Sequence, residues 1–276
     1  MHILFTVHFN APHGGLHENV FATVKHSLNN GHNATVLCRE GEFAIRLTKI
    51  GAQVITTDFK SIEMTAEKII NFNKNDFDVI HTHPGPSRKV ALKVSERLNI
   101  PLFMTFHGMW HDSLSSYAAK LSAIFPVSEG VKDFLKLKLD NHQEKMIVMP
   151  NGVNKKLFKP KKSLFRIDSK EKKPLVISLV TRLDKDKDFI IQLFYKALQF
   201  TFYNYTNEII WNIVGDGSEL EEMNKEVVKI TKGGKQKVSF VGWKNGKDLL
   251  KYYLESDIVF GKYKMYETAD LFVSHL

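Results

Sequence analysis

From residue 2 to residue 149, short apolar runs alternate with segments whose apolar residues recur at helical spacing, and the alternation starts again at Pro174. A strand that reaches its neighbour through an intervening helix pairs with it in parallel. The pattern therefore predicts α/β architecture, with helices covering both faces of a parallel sheet. Strands are expected at 2–9, 34–37, 53–56, 79–81, 102–106, 123–127 and 146–149. Leu16, Val20, Val24 and Leu28 mark a helix over 16–29 that ends at Asn29-Asn30-Gly31, a C-cap sequence. Further helices are expected near 62–74, 88–98, 113–120 and 129–141. After Pro174 the expected strands are 175–180, 209–214, 238–241 and 258–260. The helices there are 189–202, 219–230, 247–254 and one starting near Tyr266.

Charge divides the chain. The net charge is +9, of which residues 1–150 carry +2, residues 151–173 carry +7 and residues 174–276 none. We therefore expect an N-terminal domain over 1–150, a basic linker over 151–173 and a shorter second domain over 174–276. A nucleic-acid binder would spread its cations over a folded face with interleaved aromatics, so nucleic acid is not an expected partner. Lysines clustered in a linker are either simply solvated or drawn to anionic lipid headgroups, which would make the protein peripheral to a membrane. A single cysteine, Cys38, fits a reducing compartment. No apolar run reaches eighteen residues and the first residues do not form a leader, so a cytoplasmic location is expected, at most peripheral at the inner membrane face.

In open parallel sheets, ligands bind beyond the carboxyl ends of the strands, so the loops after strands should carry the chemistry, in a cleft between the two domains. Gly14 and Gly15, before the first helix, would let backbone N–H groups approach an anion, or form a plain turn. His81 and His83 lie two residues apart and point to one side of their strand. No further ligands stand nearby, so a structural role is preferred to a metal site. His107, beside Gly108 at a strand end, is placed for acid–base work or for donating to a bound polar group. Ser128 suits a helix N-cap, and Asn151-Gly152 a turn facing the cleft. Arg182 and Lys187, five apart on a loop entering a helix, suit a diphosphate, although three interleaved aspartates equally describe a solvated charged loop. Gly215 and Gly217 form half of a dinucleotide fingerprint, with Leu220 where its third glycine would stand. Trp243, after Gly242, could stack on a base or pack at a loop root.

Taken in order, Gly14-Gly15, VIHTHP (79–84), TFHG (105–108), VSEGV (127–131), PNGV (150–153), TRLDKDKD (181–188), IVGDGSEL (213–220) and FVGW (240–243) resemble the group 1 glycosyltransferases, also called family four. The resemblance implies a GT-B fold: two Rossmann-like domains with parallel sheets facing a cleft, here with the second domain incomplete. It implies a retaining transfer of a sugar from a UDP-, GDP- or ADP-sugar to a carbohydrate or lipid-linked acceptor, in cell-envelope, polysaccharide or glycolipid biosynthesis, without a metal or other cofactor. Arg182, Lys187, Gly14 and Gly15 fall at positions that hold the donor phosphates. Gly215, Gly217, Gly242 and Trp243 fall around the nucleoside, and His107 by the transferred sugar. His81, His83, Ser128 and Asn151 are assigned to the acceptor side of the cleft. The family places a Glu, seven residues and a second Glu after the strand at 258–260. Glu267 stands at the second position, as a catalytic candidate, and Val259 at the first; Asp188 replaces a usual glycine. These departures support an alternative reading, a shortened non-catalytic relative that binds nucleotide or a partner chain.

Overall fold

Leu4 and Phe5 are adjacent in sequence, yet they enter different cores on opposite faces of one sheet. That is the alternation a strand imposes, and it fits a sheet covered on both sides. The strands are β1 (His2–Thr6), β2 (Asn33–Cys38), β3 (Gln53–Thr56), β4 (Val79–Thr82), β5 (Leu102–Phe106) and β6 (Ala123–Pro126). All pair in parallel, in the order β3-β2-β1-β4-β5-β6. Helices α1 (Gly15–Asn29), α2 (Glu42–Lys49), α3 (Ile62–Phe72), α4 (Pro86–Leu98) and α5 (Glu129–Lys136) connect or follow them. One core gathers Leu4, Ile80, Met104 and Ile124 with Ala66, Ile69, Val90 and Val94; the other gathers Phe5 and Val36 with Val20, Val24 and Leu47.

These observations come from a computed structural model that describes residues 1–9, 14–72, 76–139, 141–152, 174–234, 236–244 and 246–260. The chain divides into two units, Met1–Val153 and Asn154–Leu276. In the second, β7 (Leu175–Val180), β8 (Ile209–Val214), β9 (Gln236–Gly242) and β10 (Ile258–Phe260) form a parallel sheet in the order β10-β7-β8-β9. Helices α6 (Asp188–Asn204), α7 (Leu220–Thr231) and α8 (Gly246–Glu255) link its strands. Trp211 anchors the core of this unit. Its ring meets Phe194 edge-on and its indole N–H donates to Gln236 Oε1 at 3.0 Å. A buried Trp needs such a partner for its one donor.

Three local expectations need correction, and one helix was not expected. Residues 146–149 do not form a strand: Ile147 N donates to Ile124 O and Met149 N to Pro126 O, but only one bridge forms, between Ile124 and Met146. The next rung would need an N–H from Pro126, which has none. Residues 113–120 form two 3-10 turns, Leu114–Ser116 and Ala118–Lys120, instead of a helix. Ser116 Oγ bonds the carbonyl of Ser113 there, the local competition that weakens helices. Helix α5 stops at Lys136, short of residue 141, as Lys138 and Leu139 tighten to three-residue bonds. Helix α2 has no counterpart in the sequence reading, because eight residues are too few for a period to register. Most of the basic stretch, and the helix expected from Tyr266, lie outside the described residues.

Candidate functional site

In the first unit the chain switches direction across the sheet between β1 and β4, and the carboxyl ends of β1, β4 and β5 converge there. Such a switch point opens a crevice where ligands bind. Its walls are rich in imidazole. His81, on β4, shares a hydrogen with Thr105 Oγ1 at 2.7 Å, and its ring stacks on His83, 5.2 Å between centroids. His83, 1% exposed, meets His107 through Nδ1 and Nε2 at 3.2 Å, the donor depending on tautomer. The outer nitrogens of this pair, His83 Nε2 and His107 Nδ1, have no hydrogen-bond partner among the described residues. Burial lowers the pKa of His81 and of His107 to about 4 and that of His83 well below its usual value, with repulsion from the neighbouring imidazoles adding at His81 and His83. The three rings are therefore neutral at physiological pH, and His107 in this state accepts or donates a hydrogen bond without charge.

The other predicted residues of this unit lie near helix ends. Gly14 caps α1 with its carbonyl, which accepts from Glu18 N at 2.9 Å, and a Cβ on Gly15 would meet nothing within 4 Å. Ser128 caps α5, its Oγ accepting from Val131 N at 3.2 Å. Asn151 Oδ1 accepts from Asn19 Nδ2 at 2.8 Å, tying the turn to α1. Sequence reasoning missed the support beneath this crevice. Asp112 Oδ2 accepts from Gly85 N at 2.8 Å and lies 3.0 Å from Arg88 Nε, in an ion pair whose side chains are 11% and 9% exposed. The Arg88 guanidinium also lies 4.1 Å over the Tyr117 ring.

In the second unit the switch point lies between β7 and β10, and the loop after β7 carries Arg182 and Lys187. Both cations are already paired. Arg182 forks to Asp184 at 2.7 Å and Asp186 at 2.8 Å, and Lys187 reaches Asp186 at 2.8 Å. Lys187 first, and then Arg182, hold the Asp186 carboxyl below its ordinary range. The loops after β7, β8 and β9 are bonded to one another. Thr181 N donates to Val214 O, Leu183 N to Asp216 O, Gly215 N to Gly242 O and Glu219 N to Leu183 O, at 2.8–3.1 Å. Ser218 N donates to Asp184 Oδ1 at 3.2 Å. This contact explains the two glycines, since a Cβ would stand 1.8 Å from Thr181 O at Gly215 and 2.4 Å from Leu183 O at Gly217. Trp243, 42% exposed, follows Gly242 at the end of β9. Glu267 lies outside the described residues.

Among the described residues no three His, Cys, Asp or Glu side chains are grouped to hold a metal ion. A cavity of about 280 Å³ opens beyond β2 and β3, lined by Arg39, Glu40, Thr56, Thr57 and Asp58. A second, of about 230 Å³, lies between α6 and α7 and is lined by Glu219, Glu222 and Glu226 among others. Neither is lined by a residue assigned to the site from the sequence, although Asp188, the departure from the family's glycine, lines the second.

The family model described as Glycosyltransferase Family 4 matches residues 13–157, more than half of the chain. The chain belongs to glycosyltransferase family 4. No curated protein matches it. Among solved structures, this glycosyltransferase is similar to a glycosyltransferase from Rickettsia africae ESF-5, with a TM-score of 0.70 at 20% identity, over 94% of this chain and 72% of that one. It is also similar to Anabaena Alr3699/HepE in complex with UDP-glucose, with a TM-score of 0.69 at 16% identity, over 94% and 73%. Sucrose-phosphate synthase from Thermosynechococcus elongatus gives 0.68 at 15%, over 94% and 74%. The fold is thus that of GT-B glycosyltransferases, with two parallel α/β units of which the second is the smaller. No helix among the described residues is long and apolar enough to cross a membrane.

Proposed function

We propose that this glycosyltransferase moves a sugar from a nucleoside-diphosphate sugar to an acceptor with retention of configuration, in the assembly of a polysaccharide, glycolipid or other envelope glycan. One observation carries the reading: a fixed pair of cations, Arg182 and Lys187, stands at the carboxyl end of β7, at the switch point of the second sheet. A departing nucleoside diphosphate gains negative charge, and cations already in place stabilise it. The carboxylates of Asp184 and Asp186 hold both side chains in position until phosphate oxygens replace them. Gly14 and Gly15 offer backbone to the donor phosphates. Gly215, Gly217, Gly242 and Trp243 surround the nucleoside, and neutral His107 bonds a hydroxyl of the transferred sugar. Glu267 takes the second acidic position of the family. No nucleophile of the protein is needed, because the leaving phosphate accepts the proton of the incoming hydroxyl. No metal takes part in this reading. The complex of HepE with UDP-glucose supports the donor class.

Calorimetric titration of UDP, GDP and ADP tests it. One nucleotide should bind the wild-type chain. The Arg182→Ala/Lys187→Ala variant should bind it at least about tenfold more weakly, since a hydrogen bond to a charged group contributes about 1.5–3 kcal/mol. Equal affinity in the two proteins would remove the phosphate assignment.

A further inference from the structure

Helix α6 ends in aromatic residues that face water. Phe200 is 60% exposed, Tyr203 79% and Tyr205, the C-cap, 54%, although the same helix buries Phe194 and Leu198 completely. A single exposed apolar side chain is ordinary, but these three are grouped. Phe200 and Tyr203, three residues apart, share one face of the helix, and the Phe200 and Tyr205 rings meet edge-on at 6.4 Å. Phe202, half-buried and edge-on to Tyr203 at 5.3 Å, packs on Gly234, where a Cβ would stand 1.9 Å from its ring. Thr201 Oγ1 donates to Gln236 Oε1 at 3.2 Å. These two contacts fix the turn between α7 and β9 against the end of α6.

Lysines surround the aromatic group. Lys196 lies one turn before Phe200 on the same face of α6, and Lys232 and Lys237 flank the fixed turn; all three are exposed. Lys237 pairs at 2.6 Å with Glu208, the one acidic residue in 196–208 and 228–237, against five lysines and no arginine. The chain also enters the unit at this end. Leu175 N donates to Glu208 O at 3.1 Å, and the sequence that runs into Pro174 is the stretch 151–173, with its net charge of +7.

This composition selects the occupant. Contacts between proteins favour arginine and are depleted in lysine. Phenylalanine and tyrosine rimmed by lysine suit the headgroup layer of a membrane, where the rings lie at the water boundary and the ammonium groups meet lipid phosphates. We propose that this end of the second unit rests on an anionic lipid surface, with Phe200, Tyr203 and Tyr205 among the headgroups and the lysines on their phosphates. Helix α6 is about 25 Å long, and Arg182 and Lys187 precede its other end. The lipid-facing end is therefore separate from the donor loop and does not rest on the transfer reading.

Flotation of the intact chain with vesicles tests this. Vesicles of phosphatidylcholine with phosphatidylglycerol should carry the protein, and vesicles of phosphatidylcholine alone should not. Binding should weaken as salt rises from about 0.1 M to about 1 M, which shortens the screening length from about 10 Å to about 3 Å. A Phe200→Ser/Tyr203→Ser/Tyr205→Ser variant should bind the anionic vesicles at least about tenfold more weakly, because affinity follows the apolar area inserted. Lys196→Gln/Lys232→Gln should weaken binding about fivefold for each lysine, the equivalent of about 1 kcal/mol apiece. Both variants should keep the wild-type urea midpoint of the buried Trp211, which separates loss of the surface from unfolding. If the aromatic variant unfolds, the lysine variant decides. No flotation of the wild type on anionic vesicles would overturn the proposal. A folded aromatic variant that floats like the wild type would also overturn it, leaving the attraction to residues 151–173 alone. Sedimentation without vesicles supplies the last arm: a wild type that self-associates, and an aromatic variant that is monomeric, would give the surface to a second copy of the chain and equally overturn it.

Discussion

At Gly215 a methyl group would stand 1.8 Å from the carbonyl oxygen of Thr181, whereas at Gly15 it would meet nothing within 4 Å. The two positions therefore separate two uses of glycine. Gly215→Ala should destabilise the second unit by about 1–3 kcal/mol, the usual range for overpacking, seen as a lower urea midpoint of Trp211 fluorescence. Gly15→Ala should leave stability within about 0.5 kcal/mol. If the donor phosphates use its backbone, that variant should still lose nucleotide affinity in the same calorimetric titration. The Gly-x-Gly at 215–217 was legible in the sequence, but its reason was not. Close approach of a ligand and close approach of another loop both require the same missing Cβ. Arg182 and Lys187 were legible as cations on a loop, with the aspartates beside them. Which aspartate each would hold depended on the turn at Asp184, which no spacing rule gives.

Asp112 shows the same limit at the scale of an element. Its partners lie 27 and 24 residues earlier in the chain, and no local pattern connects them. Removing it leaves Arg88 buried and uncompensated, so Asp112→Ala should cost about 3–5 kcal/mol in the first unit. Asp112→Asn, which keeps an acceptor for Gly85 N, should cost less. Urea unfolding followed by Trp110 fluorescence compares the two. Equal and small losses would show that the pair does not support the loop. The long periodic helices and the buried strands were readable because burial on one face repeats. Short pieces were not: α2 has two turns, 113–120 is broken by serines, and the strand expected at 146–149 fails on the single missing N–H of Pro126.

Over the whole molecule the histidines are unevenly placed, and the described residues of the second unit contain none. His8, His81 and His107 titrate near 4 in the folded first unit, against 6.5 for a free imidazole. Between these values the unfolded chain binds more protons than the folded one. Stability is therefore complete above about pH 6.5 and falls as the pH drops toward 4, by at most about 1.4 kcal/mol per pH unit for each imidazole. Protection factors in β4 and β5, taken against the intrinsic exchange rate at each pH, should fall as the pH drops through that window, while those in β7 and β8 should not follow; parallel behaviour of the two sheets would refute the assignment. The alternation that made both sheets legible also placed the loops between their strands at the carboxyl ends. In the second unit those loops are fastened to one another through their own amides, from Thr181–Val214 to Gly215–Gly242. The amides occupied in this way are not open to a visitor, so discrimination there falls to side chains standing on a scaffold bonded to itself. Such a surface can be rewritten one substitution at a time, and a lineage can exchange one ligand for another while the frame beneath is inherited unchanged.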